Sequence, residues 1–231
     1  DYARLFEQVR QTRQSKKQFY LSFDEWNVWY RQRGGDGGWK EAPHLLEEVY
    51  NLEDALVCAQ YLNSFIRRAD IVKVACLAQI VNVIAPILTR RDGLLVQSIY
   101  HPIELMSQNA RGVSLQTKVD SPTYKAGERG DVPAIDLTAT YNPESCEASF
   151  FIVNRNPQAD ANVTLRFADR QAFRIITAEG IGGQDPKIAN SWESPNAVKR
   201  FAVDAKIVDG DVQVPVKSPG FVAVRVATTA R

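Results

Sequence analysis

The sequence predicts two architectures in series: the last strands and helices of a (β/α)8 barrel over residues 1–112, then an antiparallel β-sandwich of jelly-roll type over residues 113–231. Three observations predict this α/β plus all-β class. In the first half, helical apolar stripes alternate with short apolar runs, the pattern of parallel strands covered by helices. From Val113 onward the pattern changes to about eight short, often alternating runs separated by turn residues. A closed barrel of parallel strands needs roughly 250 residues, so the first half holds only the final quarter of one.

Taken in order, residues 2–10 place Tyr2, Leu5, Phe6 and Val9 at helical spacing, and Lys16 and Lys17 suit the end of that helix or the loop beyond. "QFYLSF" (18–23) reads as a buried strand, continuous in apolar character. A loop with Gly34, Gly35, Gly37 and Gly38 follows; it lacks the strand-turn-helix context of a phosphate cradle and reads as the rim of a site. Asn51 is the predicted N-cap of a helix whose stripe is Leu52, Ala55, Leu56, Ala59, Leu62 and Ile66. "IVKVACL" (71–77) is a second buried strand, and residues 98–111 form a helix that Gly112 can close.

The predicted sandwich strands are "VSLQTKV", "PAIDLTATY", "ASFFIVN", "NVTLRF", "AFRIIT", "VKRFAV", "VQVPV" and "FVAVRVA", with Asp209-Gly210 as a two-residue hairpin turn. The sandwich can borrow a further strand from upstream. No repeat, low-complexity tract or long linker interrupts the chain, so the two parts are expected to pack tightly.

The formal charge of +1, with acids and bases interspersed, argues against nucleic acid or an anionic membrane as the main partner. No apolar run approaches the ~20 residues of a membrane span, and no basic-plus-apolar leader opens the chain. Cys58, Cys76 and Cys146 match no metal-ligand spacing and are expected as reduced, buried thiols of a cytoplasmic protein. His44 and His101 are too isolated for a zinc site and read as structural; no metal and no cofactor is expected. The chain opens at Asp1 and its one methionine is Met106, so it reads as a piece of something longer.

Chemistry gathers at the C-terminal ends of strands in a parallel barrel, and Asp24 and Glu25 sit at such an end. On an extended chain Leu21, Phe23 and Glu25 share one side and Ser22 and Asp24 the other, which aims one acid at the barrel axis. A carboxylate there, beside tryptophan rings, fits glycoside chemistry. Spacing alone favours the plainer reading, with Glu25 a salt-bridged structural acid and the tryptophans ordinary core, since acid pairs are common.

The residues go further than spacing. "FDEWNVWY" (23–30) closely resembles the nucleophile segment of α-L-arabinofuranosidases of glycoside hydrolase family 51, and "ALVCAQYLNSFIRRADIVKVACLAQIVNVIAPILT" (55–89) is similar to the same family's seventh helix, eighth strand and following loop. The resemblance implies a retaining glycosidase with Glu25 as nucleophile. It implies that Trp29 recognises substrate and that Gln79, in "CLAQIVN", binds the arabinose ring. Trp26 and Asn27 read as support behind these residues, and Asp24 as an orienting or structural acid. Asn82 reads either as reaching the same face or as a loop hydrogen bond.

The family's acid/base glutamate has no counterpart here. Glu41, Glu47, Glu48, Glu53 and Asp54 are expected in helical or loop contexts remote from a strand end. The chain is therefore expected to need the N-terminal remainder of its barrel, and to be inactive alone. The implied partners are arabinofuranosyl oligosaccharides and, by family resemblance, other copies in a hexamer. Two other readings concern residues 113–231: a carbohydrate-binding module, for which only Trp192 and scattered Tyr and Phe offer a surface, and a structural sandwich that packs on the barrel and mediates oligomer contacts.

Overall fold

The computed structural model of the chain describes residues 1–30, 41 and 46–229; the Gly34–Gly38 loop and His44 lie outside them. The first half runs α1 (Tyr2–Thr12), β1 (Leu21–Trp26), α2 (Leu52–Arg67), β2 (Val72–Leu77), a hairpin of β3 (Ile87–Arg90) and β4 (Gly93–Val96), and α3 (Tyr100–Asn109). β1 and β2 pair in parallel, as the alternation of helix and strand predicts. Pairing also decides where β1 lies. Residues 18–20 have no partner, because the Leu21 N–H bonds to the Ile71 carbonyl (2.8 Å) and β2 begins one residue later. The strand is therefore 21–26 rather than 18–23.

Nor are the two strands buried as their apolar runs suggest. Tyr20 (55% exposed) and Val74 (48% exposed) stand in solvent, and Phe23 is half-buried. One face of the pair is covered by α2 through Phe65, and no described element closes the other. α1 likewise keeps its stripe exposed; Phe6 meets Phe19 at 6.2 Å between ring centroids, but no residue of the helix is buried. Cys76 is exposed on β2 for the same reason, against the expectation of a buried thiol, whereas Cys58 is buried in α2.

Helix α2 begins where Asn51 predicts. The Asn51 side chain accepts from the Asp54 N–H (3.1 Å) while the Asp54 carboxylate accepts from the Asn51 N–H (2.8 Å), a reciprocal capping box. His101 lies in the first turn of α3 with Nε2 3.2 Å from the Val198 carbonyl, a structural contact. Helix α3 spans Tyr100–Asn109 rather than 98–111 and is capped at Ala110, so Gly112 does not close it; at φ +82° Gly112 instead turns the chain into the strand that follows, where a Cβ would lie 2.0 Å from the Tyr141 carbonyl oxygen.

The second half contains β5 (Val113–Leu115), β6 (Thr123–Lys125), β7 (Asp131–Pro133), β8 (Ile135–Asn142), β9 (Glu147–Asn154), β10 (Ala161–Leu165), β11 (Ala172–Gly182), β12 (Phe201–Ala202), β13 (Lys206–Val208), β14 (Asp211–Val216) and β15 (Gly220–Thr228). A six-stranded antiparallel sheet has the order β12-β11-β15-β9-β8-β5, and a three-stranded sheet the order β10-β14-β13. Asp209 and Gly210 join β13 to β14 with φ of 52° and 84°, the left-handed pair that a tight hairpin requires. The sequence reading missed β13 and the short β6–β7 hairpin.

Two cores lie on opposite faces of the large sheet. Leu137, Phe150, Ile152, Val222 and Val224 face Leu165, Val212 and Val214 of the small sheet. Phe151, Val153, Phe221 and Ala223 face Leu52, Ala55, Leu56 and Ala59 of α2 and Leu105 and Met106 of α3. This burial on both sides explains why "SFFIV" and "GFVAV" do not alternate. A third cluster, Trp26, Tyr50, Cys58 and Ile99, joins α2 to the end of β1. Helix α2 is thus packed between the sandwich and the parallel pair, and carries the geometry of one to the other.

Candidate active site

The register of the parallel pair determines how Asp24 and Glu25 are presented. Phe23 pairs with Ala75 and Trp26 with Leu77, so two residues of β1 stand where β2 has only Cys76. Such an irregularity bends a strand and shifts its side-chain alternation. Phe23 and Trp26 consequently both reach Phe65 of α2, each with ring centroids at 5.3 Å, although an ideal strand would put them on opposite faces. Both Asp24 and Glu25 are exposed. Asp24 is engaged locally, accepting a hydrogen bond from the Ser22 hydroxyl at 2.5 Å, in keeping with a structural acid. Trp26 is buried against Tyr61 and Phe65, a supporting position.

Asn27 joins the two strand ends. Its amide donates to the carbonyls of Ala78 (3.3 Å) and Ile84 (2.5 Å), and its oxygen accepts from the Val28 N–H (2.8 Å). The Ala78 N–H bonds in turn to the Trp26 carbonyl (3.2 Å). Glu25 and Gln79 therefore flank a tied junction at the C-terminal ends of neighbouring parallel strands, and both are exposed. Trp29 follows on the same outgoing segment with half its surface exposed (52%). Asn82 belongs to the loop: its side chain bonds the backbone and hydroxyl of Thr89, at 2.7 Å and 3.0 Å.

Two of the acids expected in helical or loop contexts, Glu48 in a loop and Asp54 in α2, meet the segment that leaves β1. The Glu48 carboxylate accepts from the Tyr30 N–H (2.8 Å), and the Tyr30 hydroxyl donates to Asp54. Both acids are buried, at 4% and 3% exposure. Burial holds each carboxyl above the usual carboxylate range; for Asp54 the Tyr30 hydroxyl and the Asn51 N–H oppose the rise. Burial likewise pushes the Tyr30 and Tyr50 hydroxyls and the Cys58 thiol up. The N-cap pattern at Asn51–Asp54 is readable in sequence, but nothing in it signals that Asp54 also meets Tyr30.

A cavity of about 790 Å³ opens within the sandwich, lined by Leu137, Phe150 and Leu165 among others, and includes none of these residues. No helix among the described residues is long and apolar enough to cross a membrane.

The family model for the α-L-arabinofuranosidase C-terminal domain matches residues 24–219, a stretch that includes Glu25, Gln79 and nearly all of the sandwich. The chain belongs to this family. An intracellular exo-α-(1→5)-L-arabinofuranosidase of Acetivibrio thermocellus is 37% identical over 210 residues, covering 87% of this chain and 42% of the relative. Another of that description, from Bacillus subtilis, is 39% identical over 196 residues, covering 82% of this chain and 39% of the relative. The solved structure of a family 51 α-L-arabinofuranosidase from Bifidobacterium longum superposes with a TM-score of 0.85 at 30% identity, covering 96% of this chain and 44% of that one. The arabinofuranosidase C-terminal domain described here thus spans about two-fifths of the length of its relatives.

Proposed function

We propose that the complete protein is a retaining α-L-arabinofuranosidase and that this chain supplies its nucleophile, Glu25. The observation that supports the reading is the parallel β1–β2 pair, whose tied C-terminal ends carry the exposed residues Glu25 and Gln79 in a chain of this family. Residues 1–112 then form the closing part of a (β/α)8 barrel, and residues 113–231 the sandwich. Exposed Val74, Ile80 and Val81 on and after β2 support an apolar partner for the open face, which the N-terminal remainder of the barrel would supply.

In this mechanism the Glu25 carboxylate attacks the anomeric carbon of a terminal arabinofuranosyl group as the glycosidic bond breaks. A carboxylic acid about 5 Å away, from the remainder of the barrel, protonates the leaving oxygen. Water then hydrolyses the arabinosyl ester, with that second group acting as base. Gln79 hydrogen-bonds the ring hydroxyls, and Trp29 offers the apolar face of its indole to the sugar. Trp26 and Asn27 hold the strand end, and Asp24 orients it. No cofactor or metal enters the reaction, and the chain alone has no turnover. The names of the relatives support arabinose-containing oligosaccharides as substrates and a cytoplasmic location.

In the complete protein, Glu25→Ala abolishes turnover of an aryl α-L-arabinofuranoside, and added azide restores it by forming the β-arabinosyl azide; near-normal turnover without azide refutes the assignment. The sandwich has a structural task, since its large sheet buries Phe151, Val153, Phe221 and Ala223 of one face against α2 and α3. It also provides the surface for assembly into hexamers, and sedimentation of the complete protein as a monomer would exclude that part.

A further inference from the structure

We propose that Glu48 and Asp54 are positioning residues of this site: through Tyr30 they fix the backbone that carries Trp29. The inference rests on the reading of Trp29 as a substrate contact. On either side of Trp29 the chain is anchored. The Val28 carbonyl accepts from the Tyr50 hydroxyl (2.7 Å), and Tyr50 is itself held by Gln97, whose Oε1 accepts its N–H at 2.9 Å, and by Ser98, whose hydroxyl donates to its carbonyl at 2.9 Å. The Tyr30 N–H and hydroxyl are taken by Glu48 and Asp54. Trp29, exposed, is held between these clamps.

Two observations set these acids apart from ordinary structural groups. Both are more than nine-tenths buried, which is unfavourable for a carboxylate unless it is fully hydrogen-bonded, and among the described residues the Glu48 Oε1 has no partner. Both also converge on Tyr30, which is 43% exposed and so contributes little burial in return. The hydrogen bonds gain position more than packing. A binding aromatic gains most from such rigidity, since small displacements of a contact group cost large factors in rate.

The test is a double-mutant cycle in the complete protein, read as kcat/KM on an aryl α-L-arabinofuranoside. Glu48→Ala and Tyr30→Phe each lower kcat/KM by about tenfold or more, mainly through KM, and Glu48→Gln, which keeps an acceptor for the Tyr30 N–H, restores it to within about twofold. In a Trp29→Ala background the same substitutions cause no further loss, because their effect travels through the indole. Equal losses in both backgrounds, or none with Tyr30→Phe, overturn the proposal; Tyr30→Phe keeps the test open if Glu48→Ala does not fold. A Glu25→Ala enzyme that is dead while the cycle is additive sinks only this inference. Normal turnover by Glu25→Ala removes the site and the inference together.

Discussion

Glu48 and Asp54 show how a residue's environment outweighs its place in the sequence. Each is one of two adjacent acids, Glu47-Glu48 and Glu53-Asp54, and each is buried against the segment leaving β1. Their raised proton affinity has a signed consequence. The folded protein binds more protons than the unfolded chain between the ordinary carboxylate value, about 4, and the raised folded value, so stability falls as pH rises through that window. Glu48→Gln removes one of the two groups. Its urea midpoint, followed from pH 4 upward, should decline less steeply than that of the parent; parallel curves would show that Glu48 is ionised at no cost. Asn27 makes the complementary point, because a single neutral amide satisfies two carbonyls near opposite ends of the loop that joins β2 to β3.

At the scale of elements, α2 does the most. Its stripe of Leu52, Ala55, Leu56 and Ala59 lies on the sandwich, and its Cys58, Tyr61 and Phe65 side meets Tyr50, Phe23 and Trp26. The helix start is fixed by the capping box, and because Asp54 serves both the cap and Tyr30, a frayed first turn would also loosen the segment carrying Trp29. Asn51→Ala should therefore cost about 1 kcal/mol of stability in denaturant melts. It should also increase amide exchange at residues 52–55 more than elsewhere; a uniform increase across the helix would mean that the cap does not act locally. The irregularity in β1 is the other decisive element-scale feature, since it turns Phe23 and Trp26 to one helix and leaves the adjacent acids outside.

For the whole molecule, the large sheet is a shared wall. Phe151, Val153 and Phe221 on one face are covered only because α2 and α3 lie against them. Residues 113–231 produced alone would bare this face, a contiguous apolar surface of the kind that drives association. Such a fragment is expected to bind the dye ANS and to aggregate, whereas the whole chain of residues 1–231, in which α2 and α3 cover this face, binds markedly less of the dye. A well-behaved monomeric 113–231 fragment would show that the helices are dispensable. Truncating Phe151 to alanine should be costly for the same reason, by about 3–5 kcal/mol.

The sequence by itself determined the elements whose causes are local. The Asn51 cap, the stripe of α2, the turn at Asp209-Gly210 and the change from helix–strand alternation to short strands all follow from residues within a few positions of each other. The strand-end acids and the motif around Glu25 were legible for that reason too. Only the tertiary structure decided the rest. Where β1 begins depends on the partner that β2 offers, and the meeting of Phe23 and Trp26 with one helix depends on a mismatch between the two strands. Tyr30 finds Glu48 and Asp54 through a path no spacing rule describes. Hydrogen bonds and packing between distant segments are set by the sum of all contacts, so their signal is spread across the chain rather than written at any one place in it.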